Sequence, residues 1–490
     1  MRRRTGAAVA AALALFLPAA VAAQDNPLES YVQRPEPAFE WQLQNVTTGF
    51  LADLYRLRLV SQQWLDGSQV DHPLWTHELH LALPRPLCGD SAQTSTLAVL
   101  VISGGRNTPE GEPRPSSRDH SLLAGLIAQT ICRPVFELRQ VPNQPLLFTG
   151  QQEGRREDAI LAYSMDRYLS GEPGDWPAQM AMVKATVQAM NAAQAFSRTR
   201  AEVPDIERFV LLGASKRGWT AWLTAAVDPR VQAIIPVSID MPNMAAQFPH
   251  FMRAYGDYTP ALADYKGFDI GCRMAGARGA ELLGIIDPWL WRERLSLPKL
   301  LINSAGDEFF ISDSSRFYYD ALPGPKRLRY TVNTDHDQGD KLDRHQLFLI
   351  ARNWIDDLVA GREPPRLDWE RPQPDLLVVR PSVPVREMRL WRAENPQARD
   401  FRLETIGPAW ESKILKPAGD GSYRIKLRTP KQGWRAVLVE GVFGGPTWDR
   451  QQSYTTGVYV LPETLPYPPP DCARAQAAGA QAPADPPSRN

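Results

Sequence analysis

The sequence lacks three features that would each assign it to a broad class of protein. Lys and Arg together number 55, as do Asp and Glu, so no charge excess indicates nucleic acid or an anionic membrane as a partner. After the first 24 residues, no stretch reaches the ~18 apolar residues that a membrane-spanning helix requires. The chain also has no GxGxxG or GxxxxGKS/T loop for a phosphate group, and we expect no cofactor.

Cysteine is scarce as well, with four residues in a chain of 490. None of the four belongs to a C-x-x-C pair, so the sequence predicts no thiolate metal site. In an exported protein these residues would form disulfides, and the alternative is a set of buried free thiols. They are Cys88, Cys132, Cys272 and Cys472.

The N-terminus has the pattern of a cleavable secretory signal. MRRR supplies a basic start, an apolar stretch follows from Gly6 to about Leu17, and Ala20-Val21-Ala22 offers an A-x-A cleavage site. A membrane anchor is the alternative, but the apolar stretch is short for a span. We interpret residues 1–23 as a signal peptide and expect a secreted or periplasmic protein.

Apolar runs that alternate with helical patterns predict the fold of residues 27–362. TLAVLVISGG, RFVLLG and KLLINSAGD are typical of strands buried on both faces, whereas LYRLRLVSQQW and HELHLALP alternate as antiparallel strands do. Together they predict an α/β fold with a mostly parallel sheet and right-handed crossovers. The long gap at residues 241–296 is interpreted as a helical cap inserted over the carboxyl edge of the sheet.

The pattern changes after residue 364. Short alternating runs over residues 365–465, among them REMRLWRAE and WRAVLVEGVF, predict a small antiparallel β domain built as a sandwich. Residues 466–490 are rich in Pro and Ala and predict a disordered tail.

One short stretch, FVLLGASKRGWTAW, places Ser215 in a tight turn between a predicted strand and a predicted helix. Such an elbow lifts a serine hydroxyl off the sheet edge and aims it at a substrate. Gly213 and Gly218 give the spacing G-x-S-x-x-G, with Arg217 where the usual G-x-S-x-G elbow has its second glycine. On this stretch alone, a serine that caps the following helix is an equally good interpretation.

A serine nucleophile needs a base and an acid that orients the base, and both types of residue follow later strands. LLINSAGDEFF supplies Asp307, with Glu308 as the weaker candidate, and TVNTDHDQGD supplies His336. His345 is the other histidine beyond the acid, but it lies in a helical pattern. The chain order serine, acid, histidine is the order found in α/β-hydrolases, so we predict a triad of Ser215, Asp307 and His336.

Two segments are candidates for an oxyanion hole: the loop after the first buried strand and the start of the helix after the serine. The predicted backbone donors are Lys216, Gly105 and Arg106. For the loop, a plain glycine turn is the alternative. Weaker candidates for substrate contacts are Gly104, Asn107 and Arg217. We expect the side chains of Lys216 and Arg217 to be solvated, with an anionic substrate group as the alternative partner.

The chain resembles the PhoPQ-activated pathogenicity-related family of α/β-hydrolase-like exported proteins over about residues 27–465. The segments that carry the resemblance are GASKRGWTAW, INSAGDEFF, NTDHD, VISGG and YVQRPEPAFEWQ. It implies a hydrolase-like fold and gives no substrate. The G-x-S-x-x-G elbow also resembles that of secreted carbohydrate esterases, including glucuronoyl esterases, which implies a small-molecule or carbohydrate-linked ester, such as an ester of a sugar acid.

The fold also gives an expectation for the cysteines. In α/β-hydrolase folds, the strand that ends just before Cys88 is antiparallel to the strand that begins just after Cys132, and the two are neighbours. That arrangement predicts a disulfide between these residues. Cys272 in the cap would then pair with Cys472 in the tail.

The sequence therefore predicts a serine hydrolase that acts on carboxylic esters. A peptidase or aminoacyl-amidase is the alternative within the same class, and a hydrolase-like scaffold that binds without catalysis is the alternative outside it. The complete set of three triad residues in the expected order favours an enzyme.

Overall fold

The computed structural model describes residues 26–85, 88, 96–115, 120–445 and 447–472. The predicted signal peptide and the part of the predicted tail from residue 473 onward lie outside the described residues.

A nine-stranded sheet forms the centre of the amino-terminal part. Its strands β1 to β9 are Glu40–Thr48, Ala52–Gln63, Leu74–Pro84, Leu97–Ile102, Val135–Leu138, Arg208–Ala214, Val231–Val237, Lys299–Ser304 and Lys326–Thr331. They pair in the order β1-β2-β3-β5-β4-β6-β7-β8-β9. Along this order, the pairs β1-β2, β2-β3 and β3-β5 are antiparallel. The remaining pairs, from β5-β4 to β8-β9, are parallel. The predicted α/β fold with a mostly parallel sheet is confirmed.

Helices cover both faces of this sheet. Helices α1 to α5 are Pro27–Gln33, His120–Ile131, Asp158–Leu169, Ala178–Ser197 and Lys216–Val227, and α10, the last long helix, is Lys341–Val359. Because strand side chains alternate between faces, Leu100 of β4 packs in the same core as Trp222 of α5, whereas Val99 packs in the core that contains Trp354 of α10. Burial on both faces explains why these strands are continuous apolar runs. None of the helices in the described ranges is long and apolar enough to cross a membrane.

The segment between β7 and β8 is helical, as the sequence predicts. Its helices α6 to α9 are Met244–Tyr255, Ala263–Gly267, Ile270–Arg273 and Ala277–Ile286. The buried Asp287 carboxylate fastens the start of α6, since it accepts hydrogen bonds from the backbone N–H groups of Asn243 (3.0 Å) and Met244 (2.8 Å). Burial raises the pKa of Asp287 to about 6 despite these hydrogen bonds.

The C-terminal region contains two antiparallel sheets that are separate from the central one. Its strands β10 to β17 are Leu367–Gln373, Leu376–Pro381, Glu387–Asn395, Glu411–Ile414, Tyr423–Lys426, Trp434–Phe443, Gln452–Thr455 and Tyr459–Leu461, and the short helix α11 is Leu403–Ile406. This region packs on β9, the last strand of the central sheet. The backbone N–H of Tyr330 donates to Oγ1 of Thr455 (2.9 Å), and Arg329 pairs with the buried Glu440 (2.6 Å). The edge of the central sheet is thus covered.

Two disulfides join the pairs of cysteines that the sequence analysis expects. Cys88 and Cys132 have Cα atoms 5.3 Å apart, beside the antiparallel pair formed by β3 and β5. Cys272 of α8 and Cys472 have Cα atoms 5.1 Å apart. Both separations lie within the range that a disulfide requires, roughly 4.4–6.8 Å.

Removing the first disulfide is expected to destabilise the fold measurably. The Cys88→Ser/Cys132→Ser double variant opens a loop with a sequence separation of 44. The chain-entropy model gives a loss of on the order of 4 kcal/mol in the free energy of unfolding, which urea titration would measure. Non-reducing peptide mapping of both proteins is the control. Four alkylatable thiols in the unreduced wild type would contradict the pairing.

Candidate active site

Ser215 lies in the turn between β6 and α5, in a conformation that residues other than glycine rarely adopt. Its φ of 54° and ψ of −130° fall in a strained region of backbone space. Its side chain makes no capping hydrogen bond to α5, so the interpretation as a helix cap is wrong. The backbone holds the turn, because the N–H of Ser215 donates to Val237 O (2.7 Å) and that of Trp219 donates to Ser215 O (3.0 Å).

The two glycines of the elbow are required by close approach of the backbone. At Gly218, an added Cβ would lie 2.8 Å from the backbone oxygen of Gly213 and 2.8 Å from Cγ2 of Ile239. At Gly213, an added Cβ would collide with the backbone oxygen of Arg217. Strand and helix can therefore pack at this turn only if both positions lack a side chain.

The three residues of the predicted triad lie in a row. Nε2 of His336 is 2.9 Å from Oγ of Ser215, and Nδ1 is 2.9 Å from Oδ2 and 3.1 Å from Oδ1 of Asp307. The side chains of His336 and Asp307 are 11% and 2% exposed. An imidazole that donates from Nδ1 to the carboxylate leaves Nε2 free to accept the serine proton.

The charge of Asp307 controls the protonation of His336. Burial lowers the pKa of His336. The charge of the Asp307 carboxylate, its hydrogen bond and the charge of Glu308 raise it, and the net shift is upward. Glu308 does not contact the imidazole; its carboxylate accepts a hydrogen bond from the backbone N–H of His336 (3.0 Å). Asp307 itself is held by the backbone N–H groups of Phe309 (2.7 Å) and Phe310 (3.2 Å). His345, the other histidine that follows Asp307 in the chain, is exposed on α10.

The loops that carry the acid and the histidine are fastened from outside the sheet. Ser238, after β7, donates from Oγ to the backbone oxygen of His336 (2.7 Å). Asn333 exchanges two hydrogen bonds with the backbone of Trp410, at 3.0 and 2.9 Å. The N–H of Leu403 donates to Gly306 O (3.0 Å). The C-terminal region therefore contacts both loops.

A buried ion pair adds to this attachment. Arg399 of the C-terminal region pairs with Asp313, which follows the acid loop, at 2.6 Å, and the two side chains are 0% and 1% exposed. Asp313 also lies 3.1 Å from Nε2 of His250 on α6. Burial raises the pKa of Asp313, but Arg399 and His250 lower it by more, so this carboxylate is charged. Removing either partner of such a pair leaves the other charge buried and unpaired, which destabilises the fold.

The expectation that the side chains of Lys216 and Arg217 are solvated is wrong. Nζ of Lys216 lies 3.1 Å from Glu157 and 3.0 Å from Asp158, and the guanidinium of Arg217 lies 2.8 Å from Glu157. Arg217 also donates from Nε to the backbone oxygen of Val141 (2.5 Å). Burial raises the pKa of Glu157, but the two cations lower it by more, and the pKa falls to about 2. The side chains of Lys216 and Arg217 are largely buried, so these carboxylates compensate their charges in place of water.

The candidate oxyanion loop lies against the elbow. An added Cβ at Gly104 would lie 2.7 Å from Nη2 of Arg217, and one at Gly105 would lie 3.0 Å from the backbone nitrogen of Gln140. Asn107 is buried, and its amide donates to the backbone oxygen of Gly111 (3.0 Å) and to Asn143 (2.8 Å). Its amide group thus supports the loop.

Sequence reasoning missed the residues that hold this arrangement from a distance. Glu157 and Asp158, at the start of α3, compensate the elbow cations, and Ser238 holds the histidine loop. Glu157 has the strained backbone that Ser215 also has, with φ of 49° and ψ of −124°. No motif spacing predicts these contacts, since Glu157 and Arg217 lie 60 residues apart in the chain.

In the described part of the chain, no cluster of three or more His, Cys, Asp or Glu residues could hold a metal ion.

We expect Gly218→Ala to destabilise the protein by about 1–3 kcal/mol, because its Cβ would overpack against the backbone of the elbow. Gly284→Ala in α9 is the matched control. A Cβ added at Gly284 would have no atom within 4 Å. Since alanine favours a helix more than glycine does, this substitution should stabilise the protein by up to about 1 kcal/mol. Urea denaturation measures both, and equal effects would contradict the close approach at Gly218.

Comparisons with known proteins give the family. Autocrine proliferation repressor protein A from Dictyostelium discoideum is 30% identical over 469 residues, which cover 90% of this chain and 92% of that protein. Two solved structures are similar to this one. The acetyl xylan esterase 1 from a Thermoanaerobacterium species has 13% identity and a TM-score of 0.43, over 68% of this chain and 93% of that one. The glucuronoyl esterase from Solibacter usitatus has 14% identity and a TM-score of 0.38, over 67% and 91%.

Both TM-scores are below 0.5, so these two similarities carry no inference about activity or substrate. The family match is more extensive and includes both sides of the site. It runs from the first helix, through the elbow and the acid and histidine loops, and includes Arg399, which pairs with Asp313. Residues 28–402 match the family model, and the chain belongs to the PhoPQ-activated pathogenicity-related protein family.

Proposed function

We propose that the protein is a serine hydrolase that cleaves carboxylic esters through Ser215, His336 and Asp307. The observation that carries the proposal is the position of His336, whose two ring nitrogens lie 2.9 Å from the serine hydroxyl and 2.9 Å from the carboxylate. This is hydrogen-bond distance on both sides, as a general base and its orienting acid require.

In the first half-reaction, Oγ of Ser215 bonds to the ester carbonyl carbon while its proton passes to Nε2 of His336. The carbonyl oxygen becomes an oxyanion. When this intermediate collapses, the bond to the alcohol oxygen breaks and the alcohol leaves with the proton from His336. Water then attacks the acyl carbon, gives one proton to His336, and the carboxylic acid leaves as Ser215 recovers its proton.

The backbone N–H of Lys216 is the first proposed donor to the oxyanion. Lys216 begins α5, and the first N–H groups of a helix have no partner within the helix. The N–H groups of Gly105 and Arg106 are proposed as the second donor, since their loop packs against Arg217 beside the elbow. Arg217 and Glu157 would act as positioning residues, because they tie this loop region to the elbow.

We further propose that the protein works outside the cytoplasm, in a periplasmic or secreted location. The two disulfides fit an oxidising compartment, and the N-terminal sequence has the pattern of a secretory signal.

Removing triad residues should abolish ester hydrolysis without unfolding the protein. We expect Ser215→Ala and His336→Ala each to lower kcat for p-nitrophenyl esters by at least about 10⁴-fold, with no further loss in the double variant, because the residues act as a unit. The matched control is His345→Ala. The His345 side chain is exposed on α10, so this substitution should leave kcat unchanged. Near-wild-type turnover by His336→Ala would exclude it as the base. The p-nitroanilide of the same acyl group separates an esterase from an amidase.

The pH dependence should follow the pKa of His336. Since the net shift is upward, kcat/KM should rise with pH through a midpoint above the ordinary histidine value of about 6.5. In Asp307→Asn, only the smaller effect of the Glu308 charge opposes burial, so the midpoint should move below that of wild type while kcat falls about 10⁴-fold. An unchanged midpoint would contradict the role of Asp307.

A further inference from the structure

A cavity of about 150 Å³ opens beside Ser215, under the helices of the segment between β7 and β8. Its wall comes from four parts of the chain: helix α3, helix α5, the segment between β7 and β8 with its helices, and the loop after Asp307. The apolar side chains that form most of it include Trp219, Met244, Phe248, Met274, Phe309 and Phe310. Because Ser215 is itself part of the wall, a group in this cavity would be part of a substrate attached to the reacting carbonyl.

Residues of the apolar wall contact the triad directly. The backbone N–H groups of Phe309 and Phe310 hold the Asp307 carboxylate, at 2.7 and 3.2 Å. The ring of Phe309 lies against the imidazole of His336, with 4.4 Å between the ring centroids. Trp219 follows Ser215 by one helical turn, so it lies on the same face of α5. The cavity and the triad are therefore one site.

The cavity offers no free positive charge. Lys216 is the one cationic residue in its wall among the described residues, and its Nζ lies 3.0 Å from Asp158, which also lines the cavity. Tyr265 donates from its hydroxyl to the same carboxylate (2.8 Å). Arg217, the other cation beside the serine, is paired with Glu157. A substrate carboxylate in this cavity would lose its hydration and gain no partner.

The wall also has few polar groups for a sugar ring. Gln247 donates to the backbone oxygen of Pro242 (2.7 Å), and the hydroxyl of Tyr258 accepts a hydrogen bond from the N–H of Gly271 (3.1 Å). In the described part of the chain, Ser314 Oγ is the one buried side-chain oxygen or nitrogen of this wall without a hydrogen-bond partner. A wall that is mostly apolar cannot replace the water that several sugar hydroxyls would lose.

We propose that this cavity binds an apolar group of the ester, with the size of an aromatic ring or a short branched alkyl chain. The inference rests on the proposed esterase function and names its substrate class. An apolar protein cavity of roughly 150 Å³ stays dry and binds benzene, which sets the size of the expected group. Each methylene that the cavity buries makes binding of the ester more favourable. A carboxylate of the same shape, or a sugar acid, is excluded because it would lose its hydration without gaining a partner.

The first test compares substrates that share one leaving group. From the p-nitrophenyl acetate to the butyrate and the 4-methylpentanoate, kcat/KM should rise roughly three- to fourfold per added methylene. The mono-p-nitrophenyl ester of succinic acid matches the 4-methylpentanoate in shape and differs by its carboxylate, so it should be at least about 100-fold poorer. A second series of acetates, from ethyl to benzyl, tells whether the acyl or the alcohol group occupies the cavity.

The second test places a charge in the wall. Met274→Lys should lower kcat/KM for the preferred apolar ester at least about tenfold and raise it for the succinate ester. Ala275→Lys is the matched control, since Ala275 is the exposed neighbour and should change both values less than about twofold. Equal effects of the two lysines would overturn the proposal.

A binding measurement separates this inference from the proposed function. Calorimetry of p-nitrophenyl 4-methylpentanoate with Ser215→Ala should detect binding that Met274→Lys on the same background removes. Binding of this kind without any turnover by the wild type would support the cavity and refute the esterase. Serine-dependent turnover that favours acetate, succinate or sugar-acid esters in both substrate series would refute the cavity and retain the esterase.

Discussion

The position of His336 between Ser215 and Asp307 is the constraint on which the rest of the site depends. The three residues follow β6, β8 and β9, whose carboxyl ends meet at one edge because these strands are parallel. Parallel order alone brings the residues near each other. Hydrogen-bond distance on both sides of the imidazole requires that each of three loops be held in place.

The serine turn is held by packing, and the other two loops are held by the C-terminal region. Gly213 and Gly218 let strand and helix approach until no side chain fits between them. Leu403 and Trp410 hydrogen-bond to the acid and histidine loops, and the buried Arg399–Asp313 pair joins the same regions. The C-terminal region thus helps to hold the site, and its Arg399 lies within the family match, which ends at residue 402.

Local patterns in the sequence predict the strands, the helical insertion, the elbow and the order of the three residues, since each depends on neighbours in the chain. The strand order further predicts the Cys88–Cys132 pair. The partners of Lys216 and Arg217 could not be predicted, because the carboxylates that neutralise them lie on a different helix, and charged residues beside a turn are usually solvated. The apolar cavity was missed for the same reason, since its wall combines residues from four distant segments.

Labelling with a fluorophosphonate probe, followed by mass spectrometry of the peptides, tests the central claim most directly. A serine activated by a correctly placed imidazole reacts with this probe, whereas an ordinary serine does not. The account predicts one adduct, on the peptide that contains Ser215, and a much slower reaction in His336→Ala. No adduct in the folded wild-type protein, or an adduct on another serine, would contradict it and favour a scaffold that binds without catalysis.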